Sequence, residues 1–342
     1  MARNYGLTVE TPDEIVKAFL QSATNARLTL PLNGVGTLDA TFDAASADGQ
    51  ALYSILASTI PVARLSRNGA TVFTGPLSGL DMTAGDSGEI SASFTDWTGA
   101  LGHWAPYGTY KAASADTIVD GLLALSRWPG GVGSFPGSPL LTRSGSVSAT
   151  ASVSRAEQSS VLEEIQQAAA TAPFDWYVDH ANASLKIASS HGSDKSLLVQ
   201  FGVGEVPGSP TKTNSQAARV TYQPPRNVVW ATSGKGKVYG STGTSSVNAY
   251  GQYFEQTDAG NANAQAFANA YRRDNPRQVV EITADPQLAP AWLTDYYLGD
   301  TVSVNIATRA LNLSAALRVN QIEVAFDDQL VEVSNNLTFE VI

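Results

Sequence analysis

The chain has 342 residues, a formal net charge of −10 and no cysteine. Such a length predicts roughly two to four domains rather than one compact core. The absence of thiols excludes disulfide frameworks, thiolate zinc sites and cysteine nucleophiles together. An acidic chain whose basic groups are scattered, as at Arg272-Arg273 and Lys235-Gly236-Lys237, does not carry a phosphate-gripping surface, so no sequence-specific nucleic-acid binding is expected.

Charged residues make up 15% of the chain, against about 25% in typical soluble domains. Ser, Thr, Asn and Gly supply the polar surface instead, a profile suited to β-rich virion or extracellular proteins. No apolar run reaches the roughly 18 residues of a membrane helix, and Met1-Ala-Arg-Asn-Tyr-Gly6 lacks the apolar centre of a signal peptide. Neither a membrane span nor export is expected.

Thr11-Pro-Asp-Glu14 offers an N-cap, a first-turn proline and an acid three residues after the cap. With Ile15, Val16, Phe19 and Leu20 on one face, residues 1–26 are expected to form a helix and an arm. From Arg27 the pattern turns to strands. Residues 62–67 lead into Asn68-Gly69, a pair that favours a type I′ hairpin turn, and Thr71-Val-Phe-Thr-Gly-Pro-Leu77 returns. Asp86-Ser-Gly88 makes a further turn before Ile90, Ala92 and Phe94 alternate inward. Residues 27–102 therefore read as a small antiparallel β-barrel-like module.

Residues 103–204 read as an α/β insert. Ser114 caps a helix with Ile118, Val119, Leu122, Leu123 and Leu125 on its buried side. The Gly/Ser/Pro-rich stretch 129–139 is a loop by composition. Ser160 and Glu163 form a capping box ahead of the stripe Val161, Leu162, Ile165, Ala168 and Ala169, and residues 174–178 pair with 185–187 as a hairpin.

Residues 205–342 read as a second β-barrel-like module, with a polar and helical segment inserted at about 234–277. Strands 219–222 and 227–232 flank the Pro224-Pro225 turn. Residues 234–251 read as a glycine-rich polar segment, with 234–240 a flexible glycine-rich hairpin, and Asp258 as the cap of a helix carrying Phe267 and Tyr271. Strands resume at Gln278, and 300–306 alternates cleanly. In 317–326 the alternation slips by one between Val319 and Ile322, which predicts a bulge at Asn320-Gln321. Asp327-Asp328 turns the chain into a last strand with Val331, Val333, Leu337, Phe339 and Val341. The fold class is β-rich α+β, with two small antiparallel tube modules bracketing the insert, each holding a strand-turn-strand-turn-strand run.

The search for chemistry ends in exclusions. His103, His180 and His191 are the only histidines. Asp179 and Asp194 lie near the latter two, but the spacing lacks the tight repeat of a metal site. No Gly-x-Ser-x-Gly elbow occurs, and 234–240 lacks the frame of a phosphate loop. Glu163 and Glu164 are neighbours on a helix and diverge by about 100°, so they cannot converge as a glycosidase pair. Trp97, Trp104, Tyr107 and Tyr110 are candidates for a sugar-binding run, or for core and interface. No catalytic residue, cofactor or metal is expected.

Four phrases carry a family resemblance. Val62-Ala-Arg-Leu-Ser-Arg-Asn-Gly-Ala-Thr-Val-Phe-Thr-Gly-Pro-Leu-Ser-Gly-Leu80 resembles the arginine-x-glycine turn and aromatic-x-glycine strand of phage tail hub proteins. Ile90-Ser-Ala-Ser-Phe-Thr-Asp96-Trp97 is similar to that family's strand ending in an Asp. Tyr297-Leu-Gly-Asp-Thr-Val-Ser-Val304 and Leu317-Arg-Val-Asn-Gln-Ile-Glu-Val324 resemble its late Gly-Asp-x-Val and Arg-Val-x-x-Ile-Glu strands. Together they point to the minor tail and baseplate-hub proteins of siphophages infecting actinobacteria, built on the hub fold of contractile-tail baseplates.

That resemblance implies a virion protein of the tail tip, made in the host cytoplasm. It implies a homotrimer whose two tube modules per chain form a pseudo-six-fold ring between the tail tube and the tip, open to DNA during ejection. The implied partners are the distal tail protein, other minor tail or tip proteins and the tape measure protein. Because short, weakly charged strands without lysine are poorly defended edges, the candidate subunit-interface residues are Asn68, Gly69, Val302, Val304, Ile306, Val319, Ile322 and Val324. The competing readings are a receptor- or carbohydrate-binding tip protein and a cell-wall-degrading virion enzyme.

Overall fold

The computed structural model describes residues 4–340 apart from 12–16, 58, 84–87, 105–109, 126–140, 154–159, 205–212, 234 and 261–263. The N-terminal part forms β1 (Tyr5–Glu10), β2 (Lys17–Leu20), β3 (Thr24–Pro31), β4 (Thr37–Asp43), α1 (Ala47–Leu56), β5 (Val62–Arg67), β6 (Ala70–Met82) and β7 (Glu89–Thr95). The middle carries α2 (Trp97–Leu101), β8 (Tyr110–Ser114), α3 (Ala115–Leu125), β9 (Thr142–Ser144), β10 (Thr150–Val153), α4 (Val161–Thr171), β11 (Asp175–Asp179) and β12 (Ser184–Ala188). After β13 (Gln200–Gly204) and β14 (Ser215–Gln223) come β15 (Val228–Ser233), β16 (Val238–Thr242), α5 (Thr244–Tyr250), β17 (Phe254–Gly260) and α6 (Ala264–Tyr271). The chain closes with β18 (Arg277–Ala284), β19 (Thr301–Ala307), β20 (Asn312–Phe326) and β21 (Glu332–Glu340).

Thirteen strands share one open sheet in the order β14-β18-β21-β20-β3-β4-β7-β6-β5-β1-β2, with β19 beside β20 and β13 beside β19. The pairing order occurs twice. The runs β3-β4-β7-β6-β5 and β14-β18-β21-β20-β19 match strand for strand, and every neighbour in both is antiparallel. Each long central strand shifts register at an equivalent place, between Leu77 and Gly79 in β6 and between Val319 and Gln321 in β20. The second shift is the bulge read from the slipped alternation.

Aligning the halves on these bulges sets Phe94 on Phe339, Ala92 on Leu337 and Leu38 on Val280, all buried. A backbone bond recurs at equivalent positions, Leu77 N–H to the Pro61 carbonyl and Val319 N–H to the Asp300 carbonyl, each 2.9 Å. The halves meet where β3 pairs antiparallel with β20, from Pro31 opposite Gln321 to Arg27 opposite Ala325. The two β segments are therefore joined into one sheet, and no pairing among the described strands closes either of them as a barrel.

One apolar core fills both halves, with Phe42, Phe73, Phe94, Phe201, Phe339 and Tyr296 fully buried. Phe201 stands edge-on to Tyr296 at 5.4 Å and tilted against Phe339 at 5.9 Å. A second core gathers α2, α3, α4 and strands β10 to β12 around Trp97 and Trp176. The Ser160–Glu163 capping box forms, α3 buries Ile118, Val119, Leu122 and Leu123, and α4 buries Val161, Ile165 and Ala168, as their sequence patterns require. The Leu125 side chain, the 129–139 stretch and Val341 lie outside the described residues. Asp175 clamps this part to the sheet by accepting from Arg318 of β20, from the Asn33 amide at 3.0 Å and from the His191 N–H at 2.8 Å. Burial pushes its carboxyl up, but these hydrogen bonds and the Arg318 charge outweigh it and hold the group below the usual range.

Several local expectations change. Residues 17–20 form a strand rather than a helix, paired with β1 so that Leu20 is buried and Phe19 exposed; the rest of that expected helix, 12–16, lies outside the described residues, as do Asp86 and Ser87. Strands β14 and β15 flank Pro224-Pro225 without pairing. Strand β15 instead centres a separate sheet, β16-β15-β17, covered by α6. Asp258 sits inside β17 rather than at a helix start, β15 and β16 pair as the hairpin read at 234–240, and the polar segment after it contains helix α5. Val331 and Val333 are half exposed, because a second register shift against Phe326 turns Glu332 and Asn335 inward.

Removing a core aromatic leaves a cavity, so Phe339→Ala is expected to lose about 3–5 kcal/mol of unfolding free energy. Phe19→Ala, at an exposed site, should stay within about 0.5 kcal/mol. Urea unfolding monitored by tryptophan fluorescence separates the two.

Candidate functional site

The sequence-selected residues fall into two groups. Asn68 and Gly69 form the two-residue turn between β5 and β6, both with positive φ (49° and 84°), as a type I′ turn demands. Asn4 N–H donates to the Asn68 side chain and Asn68 N–H to the Asn4 carbonyl. Val302, Val304, Ile306, Val319, Ile322 and Val324 are buried in the chain's own core, each 0–1% exposed. The edges of β19 and of β20 along its paired length are taken within the chain, by β13, β21 and β3. Their apolar alternation marks a buried face, and that face is internal.

The histidines and aromatics are dispersed as well. His180 is half-buried against the Phe73 ring at 5.3 Å, and its Nδ1 accepts the Thr74 N–H. Burial pushes its pKa down to about 4 despite the Asp179 charge. His191 packs edge-on to Tyr177 at 4.6 Å. Among the described residues no group of three His, Cys, Asp or Glu is placed to hold a metal ion. Trp97 is buried, Trp104 packs on the insert core, and Tyr107 lies outside the described residues. Glu163 reaches back to the Ser160 N–H while Glu164 is buried.

What the structure gathers is a polar sheet face. Since side chains alternate across a strand, the rows opposite the core carry Thr37, Asp39 and Thr41 of β4, Ser91, Ser93 and Thr95 of β7, Glu281 and Thr283 of β18, and Asn336 and Thr338 of β21. These groups bind one another. Ser93 donates to Asp39 at 2.6 Å, Thr283 to Asn336 at 2.9 Å, Asn336 to Glu323 at 2.9 Å, and Thr41 meets Ser91 at 3.3 Å. The Thr41–Ser91 and Thr283–Asn336 contacts occupy equivalent places in the two halves. Arg27 bridges to Glu323 at 3.5 Å across the β3–β20 joint, and Arg219 to Glu281 at 3.6 Å.

An open groove of about 380 Å³ lies on this face between β14, β18, β21 and β20. Glu281 and Glu323 outnumber Arg219 in its lining, leaving a weakly negative surface of hydroxyls and amides. Such a surface holds water and counter-ions and repels phosphate. The sequence reading passed over it because each residue is an ordinary solvent-side member of an alternating strand; the signal available was the run of Ser, Thr and Asp at every second position of 37–41 and 91–95.

The fold is shared with tail proteins. A tail protein from Neisseria meningitidis MC58 superposes with a TM-score of 0.63 at 11% identity, covering 98% of this chain and 96% of that one. The 43 kDa tail protein of prophage MuSo2 from Shewanella oneidensis gives 0.60 at 14% identity over 98% and 97%. An Escherichia coli type VI secretion component, described as structurally similar to the T4 tail proteins gp27 and gp5, gives 0.50 at 8% identity over 93% and 73%. No family model and no curated protein matches the chain. At these identities the likeness establishes the fold, that of phage tail and hub-like proteins. Among the described residues no helix is long and apolar enough to cross a membrane.

His180 gives this region a pH signature. Its pKa falls from 6.5 to about 4 on folding, so its contribution is present above 6.5 and is lost as pH falls through the window between these values. His180→Asn lacks that term. The wild-type advantage over the variant should therefore grow from pH 4 to 6.5 and level off above, in denaturant titrations at stepped pH.

Proposed function

We propose that the chain is a structural, non-enzymatic tail protein, a hub or minor tail component that assembles as a homotrimer around a channel. Each copy supplies two sheet halves, so three copies make a pseudo-six-fold ring joining the tail tube and its distal ring to the tip. The observation that carries this is the doubled pairing order joined at β3–β20, with one polar face running across both halves. A sheet that repeats itself and stays open at both ends is suited to completion by further copies.

Turned inward, the hydroxyl, amide and carboxylate face would line a passage through which DNA slides without binding, consistent with a chain of net charge −10. The structural likeness to tail proteins that cover nearly this whole chain supports the same role. The distal tail protein, further tip proteins and the tape measure protein are its expected neighbours, and the virion tail tip its expected place. The siphophage type and the two-module division at residues 27–102 and 205–342 belong to the same proposal.

Native mass spectrometry of the purified chain tests it. Three times the chain mass of 35.9 kDa, persisting on dilution to low micromolar concentration, is the expected result. A monomer at every concentration, or sustained turnover of peptidoglycan or polysaccharide by re-purified protein, would contradict it.

A further inference from the structure

We infer that β14 of one copy adds to the free side of β6 in a second copy, in the register that β3 already uses on β20 within the chain. The inference rests on the ring reading above and names the strands that close the ring. In the duplicated sheet β14 is the counterpart of β3, and β6 is the counterpart of β20. Strand β20 pairs with β21 on one side and, on the other, with β19 and then with β3. Strand β6 pairs with β7 on one side and on the other with β5 as far as Pro76. Among the described residues, the place that β3 fills on β20 is open on β6 beyond Pro76, and no strand pairs with the outer edge of β14.

The side chains at these two edges fit the same joint. Aligned on the bulges, Ile322, Glu323 and Val324 correspond to Leu80, Asp81 and Met82. Aligned through their pairing with β4 and β18, Arg27, Leu28 and Leu30 correspond to Arg219, Val220 and Tyr222. The transferred register sets Val220 opposite Met82, Thr221 opposite Asp81, Tyr222 opposite Leu80 and Gln223 opposite Gly79. In the internal joint Leu28, Ile322 and Val324 are at most 1% exposed, whereas Met82 is 53%, Tyr222 62% and Leu80 37% exposed. Leu80 and Met82 continue the core-side rows of Ala92 and Ile90, so the joint would extend the buried face of each copy into the next.

Charge agrees with packing. Arg27 bridges to Glu323 across the internal joint, and the same transfer faces Arg219, whose side chain is 75% exposed, with Asp81 of the second copy. The ladder also has a natural end. Leu32 N–H donates to the Asn320 carbonyl at 2.7 Å in the internal joint; its counterpart Pro224 has no N–H, so the external ladder stops at Gln223. Each copy thus carries one β14 edge and one β6 edge, a head-to-tail pair that closes as a ring.

Disulfide trapping in the full chain tests the joint, and the absence of native cysteine gives a clean background. Directly opposed antiparallel residues lie about 4.5–5.5 Å apart at Cα, within reach of a disulfide. Thr221→Cys combined with Asp81→Cys should yield covalent dimers and trimers on mild oxidation, and neither single variant should. Gln223→Cys with Asp81→Cys, diagonal at roughly 7–8 Å, should cross-link at least five-fold less. As a second arm that needs no cysteine, Arg219→Glu and Asp81→Arg should each weaken association roughly ten-fold, and the double reversal should restore it. A trimer by native mass with no Thr221–Asp81 cross-link and no rescue overturns this joint and leaves the ring reading standing. A chain that stays monomeric overturns both.

Discussion

Everything in this fold depends on the hydrogen bonds between β3 and β20. A sheet cannot leave its backbone donors and acceptors dry and unpaired, and at Pro31–Arg27 opposite Gln321–Ala325 the chain meets that demand by laying the first edge of one half on the long strand of the other. This single joint makes one sheet of two segments nearly 300 residues apart in the chain. It continues the apolar core from Phe94 to Phe339 and sets the polar rows of both halves on one face. The Asp175 clamp onto Arg318 then fixes the α/β part against the strand that carries the joint.

The same joint explains why the molecule is open. Each half spends one edge on the other half; among the described strands the outer sides of β14, β2 and β13 and the stretch of β6 beyond Pro76 are left without a paired strand, with Tyr222 on the first and Leu80 and Met82 on the last. A solitary sheet defends such edges with lysine, proline or covering loops. Here Pro224 follows the β14 edge and ends it, and Pro76 in β6 stands before the open stretch rather than within it. Polar and apolar faces, with two undefended ends, are what a repeating assembly around an axis requires.

Much of this was legible locally. The Asn68-Gly69 turn, the Ser160–Glu163 box, the α3 and α4 stripes and the bulge after Val319 form because each is decided by neighbours within a few residues. Where tertiary pairing decides, sequence reasoning failed. Residues 17–20 lie in a strand because β1 is beside them, and β15 leaves the main sheet for one of its own. The repeat was legible only as a strand-turn-strand-turn-strand run in each module, because equivalent positions share only a burial class, Ala92 with Leu337 or Arg67 with Ile306. Val302, Val304 and Ile306 were read as interface because their strand is short, weakly charged and without lysine; within the chain β13 and β20 take its edges, and these side chains face the chain's own core.

The most direct measurement is a cryo-electron reconstruction of the assembled protein, free or at the tip of the virion tail. The account predicts three copies around one axis, with six sheet halves side by side and Thr41, Ser91, Thr283 and Asn336 turned toward a central passage. Separate peripheral copies, or a ring whose Ser- and Thr-lined face points outward with the apolar core side toward the axis, would contradict it.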